Sequence, residues 1–137
     1  MPSCMLRVCG STAKVRKFLA TSSVQPIRIF WKGDPGVPKS RGPIQISGFN
    51  IELSVADGLA VQATQAVKFI RKHKNDLLLV KSLGFLSAAI DFGLYDLATD
   101  DRPWPSYQLP ATVIQLAAEL GCCVELSFYG PPSSGAP

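Results

Sequence analysis

The sequence predicts an α+β fold: a two-layer sandwich with a mostly antiparallel sheet, helices packed on one face, and the order β-α-β-β-α-β-α-β. Three features carry this. The long apolar segments alternate with a period of two, as Ile90, Phe92 and Leu94 do, so one sheet face is packed and the other is wet. Other segments repeat at helical spacing, with Leu59, Ala63, Ala66, Val67 and Ile70 on one stripe. The two kinds succeed one another in the order of a ferredoxin-like unit with an added helix-strand piece, making residues 1–129 one domain.

Leu6-Arg7-Val8-Cys9 alternates as a short first strand. Ser11 can cap a helix whose apolar face is Val15, Phe18 and Leu19. Ile27 to Lys32 reads as a strand after Pro26. A Gly/Pro-rich loop over 33–43 separates it from Ile44 to Ser47, where another strand starts. Gly48 then shifts the phase to Phe49, Ile51, Leu53 and Val55, which predicts a bulge there. Asp57 can cap a long helix whose end gathers Lys68, Arg71, Lys72 and Lys74, where cations suit the helix dipole. Asn75-Asp76 predicts an interruption, followed by one or two turns closed by Gly84. Ser87 to Tyr95 is a strand with Ile90, Phe92 and Leu94 inward. After a polar loop, Pro110 suits the first turn of a helix that ends before Gly121. Cys122 to Tyr129 is the last strand, with Val124, Leu126 and Phe128 inward, and 130–137 reads as a disordered tail.

Composition narrows the classes of function. Apolar residues make up 47% and charged residues 18%, a globular balance. No apolar run approaches the length of a membrane span, and no secretory signal is read at the start, so the expectation is a cytoplasmic protein with reduced thiols. The four cysteines, Cys4, Cys9, Cys122 and Cys123, lack C-x-x-C spacing and sit far from His73, so neither zinc nor any other cofactor is expected. Instead they read as small buried hydrophobes plus one exposed thiol. Residues 1–45 hold eight basic side chains against Asp34 alone, a local net of +7 in a chain whose total is +4. That asymmetry suits an acidic partner, or contact between the two parts of the chain.

Two motifs invite a sharper reading and lose it. Gly33-Asp34-Pro35-Gly36-Val37-Pro38-Lys39-Ser40 misses the phosphate loop G-x-x-x-x-G-K-[ST] by one residue. Pro38, in place of the second glycine, has no N–H to offer a phosphate, and a strand rather than a helix follows. Asp91-Phe92-Gly93 spells the kinase magnesium triplet, but no other kinase element accompanies it. No constellation of nucleophile, base and oxyanion donor can be assembled, so a non-enzymatic role is expected.

The wet sheet face is the richer surface. Alternation places Arg7, Arg28, Phe30, Lys32, Asn50, Glu52, Asp91, Tyr95, Cys123, Glu125, Ser127 and Tyr129 on it. Phe30, Tyr95 and Tyr129 are its aromatic anchors, edged by Trp31, Trp104 and Tyr107 from loops. Exposed aromatics beside arginine suit a protein interface, either with a different protein or with a second copy of the chain.

Phe18–Asp34 (FLATSSVQPIRIFWKGD), Ser47–Ser54 (SGFNIELS) and Tyr107–Tyr129 (YQLPATVIQLAAELGCCVELSFY) together resemble a widespread family of uncharacterised bacterial domains with a Lys-Gly-Asp turn after the second strand, here Lys32-Gly33-Asp34. The resemblance implies a fold and a bacterial cytoplasmic origin, and no activity. The expected function is a small protein-binding domain of the immunity or regulatory kind. Two alternatives are a small-molecule or anion site on the loops around Lys32, Lys39, Arg41 and Trp104, and nucleic-acid binding through the basic first third.

Overall fold

The structure is a computed structural model and describes residues 2–95, 101 and 105–130. The expected tail beyond Gly130 lies outside that set, as do Asp100 and Trp104. Among the described residues there are five strands and four helices. They are β1 (Cys4–Gly10), α1 (Thr12–Thr21), β2 (Arg28–Phe30), β3 (Ser47–Ser54), α2 (Leu59–Lys72), α3 (Lys74–Leu83), β4 (Ser87–Tyr95), α4 (Ala111–Glu119) and β5 (Cys123–Tyr129). The sheet runs β2-β3-β1-β4-β5. Its first three pairings are antiparallel and the last, β4 with β5, is parallel, so the sheet is mixed. The parallel pair follows from α4, which carries the chain back before β5 begins.

One side chain parity of the strands builds the core. Leu6 and Val8 of β1, Phe49 and Ile51 of β3, and Ile90 and Phe92 of β4 are fully buried against Val15 and Phe18 of α1, Ala66 and Ile70 of α2, Leu77 of α3 and Leu116 of α4. The rings of Phe18 and Phe49 stack at 4.4 Å, with Phe85 set edge-on to both. Phe92 therefore lies under the helices as its alternation predicts.

Three caps are legible in the sequence and present. The Ser11 hydroxyl accepts from the Lys14 N–H at 3.2 Å, and Gly84 and Gly121 take the left-handed conformation that ends α3 and α4. Gly84 gains a further partner, because Lys14 Nζ donates to its carbonyl at 2.8 Å.

Other expectations are corrected. Gly58, not Asp57, stands at the N-terminus of α2, and it offers no side-chain cap. The helix breaks at His73, where ψ is 23°, so α3 is a full helix of ten residues rather than a turn or two after Asn75-Asp76. Strand β2 is only three residues long, since beyond Phe30 the chain enters the loop that returns through Gly33 and Ile44. The bulge is not at Gly48. It falls opposite the Cys4/Met5 step, where Leu53 is the extra residue of β3. A Cβ on Gly48 would stand 2.5 Å from the Phe30 ring and 2.3 Å from the Val8 carbonyl, so this glycine is the seat of an aromatic ring. Leu126 and Phe128 of β5 are only partly covered; they are 39% and 53% exposed because β5 has one neighbour among the described strands. Strand β4, in contrast, is buried on both faces from Ala88 to Leu94.

No helix among the described residues is long and apolar enough to cross a membrane.

Candidate functional site: the open sheet face

The second face of the sheet is built from the other side-chain parity. Pairing register arranges it in rows across the strands. Arg28, Asn50, Arg7, Ala89 and Cys123 form one row. Glu52, Met5, Asp91 and Glu125 form the next. No described helix packs on this side, and Arg7, Arg28, Cys123 and Glu125 are exposed.

Arg7 is where the rows join. Its guanidinium reaches Asp91 at 2.8 Å, and the Ser127 hydroxyl donates to the other carboxylate oxygen at 2.7 Å. Asp91 is on the predicted face, yet it is only 2% exposed, which corrects its reading as a solvated contact residue. Arg7 from β1 and Ser127 from β5 close over it from either side. The carboxylate is therefore a structural anchor that fixes Arg7. Asp91→Ala should cost about 1–3 kcal/mol in urea unfolding, the range for a charged buried hydrogen-bond acceptor. An effect below half a kcal/mol would mean that water already satisfies the carboxylate.

At the β2 edge, Phe30 lies half-buried over Gly48, and the Arg28 guanidinium sits 5.6 Å from its ring centroid. Arg7, Cys9, Arg28, Phe30, Ile44 and Asn50 line a shallow cavity of about 300 Å³. It pairs two cationic groups with an amide and an apolar wall. At the far end of the opposite edge, Tyr95 is the cross-strand partner of Tyr129. A Cβ on Gly93 would be 3.1 Å from the Tyr129 ring, so that ring also leans over a glycine. The aromatic anchors thus stand at diagonally opposite corners rather than in one cluster. With strands ~4.8 Å apart, the two edges are separated by roughly 19 Å.

The remaining predicted residues are dispersed. Lys32 is exposed beyond the end of β2 and lines a separate hollow with Gly10, Ser11 and Thr12. Glu52 is half-buried at the centre of the face. Lys39 and Arg41 lie exposed on a single 3-10 turn, too short to present the helix end that a phosphate loop needs. Tyr107 does not edge the open face: its ring packs on Phe128 at 5.6 Å, on the helix side of the sheet. His73 rests against Phe69 at 4.6 Å.

Sequence reasoning missed Gln62. It is completely buried in the first turns of α2, and its amide donates to the carbonyls of Ala56 at 2.7 Å and Gly93 at 2.8 Å. Its position between Leu59 and Ala66 on the apolar stripe is the signal that could have found it. It ties α2 to β4 directly behind the Tyr129 corner.

Burial holds two of the four thiols in the protonated form. Burial pushes Cys4 up to about 12, with the Asp91 carboxylate adding to the effect, and burial does the same to Cys122 beside Cys123. No group of three metal-ligating side chains is found among the described residues.

Comparison with protein families, with curated proteins and with solved structures finds no match. The resemblance carried by the Lys32-Gly33-Asp34 turn therefore assigns no family.

Proposed function

We propose that the chain is a protein-binding module, of the regulatory or immunity kind, whose binding surface is the open face of the sheet. One observation carries this reading: the four helices share one side, while the other side offers exposed Arg28, Glu125 and Tyr129 and half-buried Phe30 with no described helix over them. Aromatic and arginine side chains contribute most to protein interfaces, and a rigid sheet presents them at little entropic cost. The Arg7–Asn50–Arg28 row is basic, while the next row offers Glu52 and Glu125, so a partner meets it in one orientation.

The strand order 2-3-1-4, with α1 and then α2–α3 as crossovers, supports reading β1 to β4 as a ferredoxin-like unit to which α4 and β5 are appended. Protein is favoured over nucleic acid by how the basic first third is used. Arg7 is tied to Asp91, Lys14 to the Gly84 carbonyl, and Arg16 lies 5.6 Å from the Trp31 ring centroid, so these cations are not free to follow a phosphate backbone.

The test is capture from nuclease-treated extract of the source cells by the immobilised chain, compared with Arg28→Glu/Phe30→Glu and with Tyr129→Glu. One protein should be retained by the wild type and weakened by roughly thirtyfold or more in each variant, as for hot-spot residues. Equal retention by all three overturns the reading, and so does retention of nucleic acid in place of protein from a parallel extract without nuclease.

A further inference from the structure

We infer that β5 is a self-pairing edge: two copies of the chain join their β5 strands antiparallel about a two-fold axis at Leu126, making one ten-stranded sheet. This uses the rim of the sheet; it shares Glu125 and Tyr129 with the surface proposed above and is tested apart from it at Leu126 and Phe30.

The two edges of the sheet are treated differently. Strand β2 is three residues long, follows Pro26 and has Arg28 within it and Lys32 just beyond, all features that discourage another strand from adding. Strand β5 has seven residues, contains no proline and no lysine, and keeps an unbroken register with β4 from Cys123 to Tyr129. Beyond it, no described strand pairs. It is also exposed on both faces, with Leu126 at 39%, Phe128 at 53% and Tyr129 at 42%. A long, regular, apolar edge is a template for strand addition.

The occupant is argued from self-complementarity. With Leu126 on the axis, Leu126 meets the partner's Leu126, Val124 meets the partner's Phe128, Glu125 meets the partner's Ser127, and Cys123 meets the partner's Tyr129. All seven residues of β5 are used, and its only charge, Glu125, faces a hydroxyl. An axis one residue earlier sets Glu125 against the partner's Glu125, which is repulsive. Any later axis leaves the first residues of the strand unpaired. Val124, Leu126 and Phe128 share the helix side of the sheet, so this pairing covers the incompletely buried end of the core with its own apolar counterpart. A closed two-fold contact of this kind uses up the edge and stops at two copies.

Sedimentation equilibrium of the full chain should give twice the 14.7 kDa mass. Leu126→Lys places two ammonium groups face to face on the axis, and it should raise the dissociation constant by roughly a hundredfold while leaving circular dichroism unchanged. Phe30→Glu, on the open face, should leave the dimer intact. Should Leu126→Lys fail to fold, cross-linking decides. In a Cys9→Ser/Cys123→Ser background, Leu126→Cys should form a covalent dimer under mild oxidation and Val124→Cys should not, because Val124 faces the partner's Phe128. A monomeric wild type overturns the inference. So does a dimer broken by Phe30→Glu and not by Leu126→Lys, or a covalent dimer formed through Val124→Cys and not Leu126→Cys.

Discussion

Phe49→Ala is expected to cost about 3–5 kcal/mol, with loss of the aromatic stack adding of order 1 kcal/mol. For a domain whose total stability is typically ~5–15 kcal/mol, that removes a large share of the folded state. Phe49 is completely buried, its ring stacks on Phe18 of α1, and Phe85 closes the cluster edge-on. The cavity left by alanine would sit between β3 and α1, against the Phe18 ring. Next to Phe49 on the same strand, Asn50 belongs to the basic row of the open face. Urea unfolding of Phe49→Ala beside Phe49→Leu measures the effect. A loss under ~1 kcal/mol for the alanine variant would show that the stack does not secure α1.

The second large effect is loss of stability in alkali. Cys4 and Cys122 are both buried, and burial raises each thiol from 9.0 to about 12. In the unfolded chain both ionise near their ordinary value. Between the two values the unfolded state therefore binds fewer protons than the folded state, and stability falls as pH rises. The contribution is fully present below pH 9.0 and is lost progressively towards pH 12, by up to about 1.4 kcal/mol per pH unit for each thiol. Unfolding curves at neutral pH and above pH 10 should separate by several kcal/mol, and Cys4→Ala/Cys122→Ala should flatten the slope even though it is less stable at neutral pH. An unchanged slope in that double variant would assign the alkaline lability to other groups.

The local periodicity of the chain determined more than its elements. The alternation of Ile90, Phe92 and Leu94 with Asp91, Gly93 and Tyr95 was enough to say which residues share a face, because successive side chains of a strand must point to opposite sides. The stripe from Leu59 to Ile70 marked the buried side of α2, and Ser11, Gly84 and Gly121 marked helix ends, since capping is a short-range matter of one donor or one left-handed residue. Membership of the open face was legible for the same reason except at Lys32, which lies beyond the end of β2.

How deeply each of those residues is buried was not legible, because cover comes from parts of the chain far away in sequence. Asp91 is sealed by Arg7 and Ser127, which belong to strands on either side of β4. Gly48 and Gly93 look like breaks in alternation, and only the rings of Phe30 and Tyr129 lying over them show that they are seats. Leu126 and Phe128 carry the pattern of core residues, yet they lie at a rim because β5 has one neighbour among the described strands. By itself, then, the sequence determined the period of each element and the face of each side chain, which depend on neighbours along the chain. Tertiary structure alone decided the strand order, the parallel β4–β5 pair and the exposure of each face, which depend on non-local pairings that no short window of residues contains.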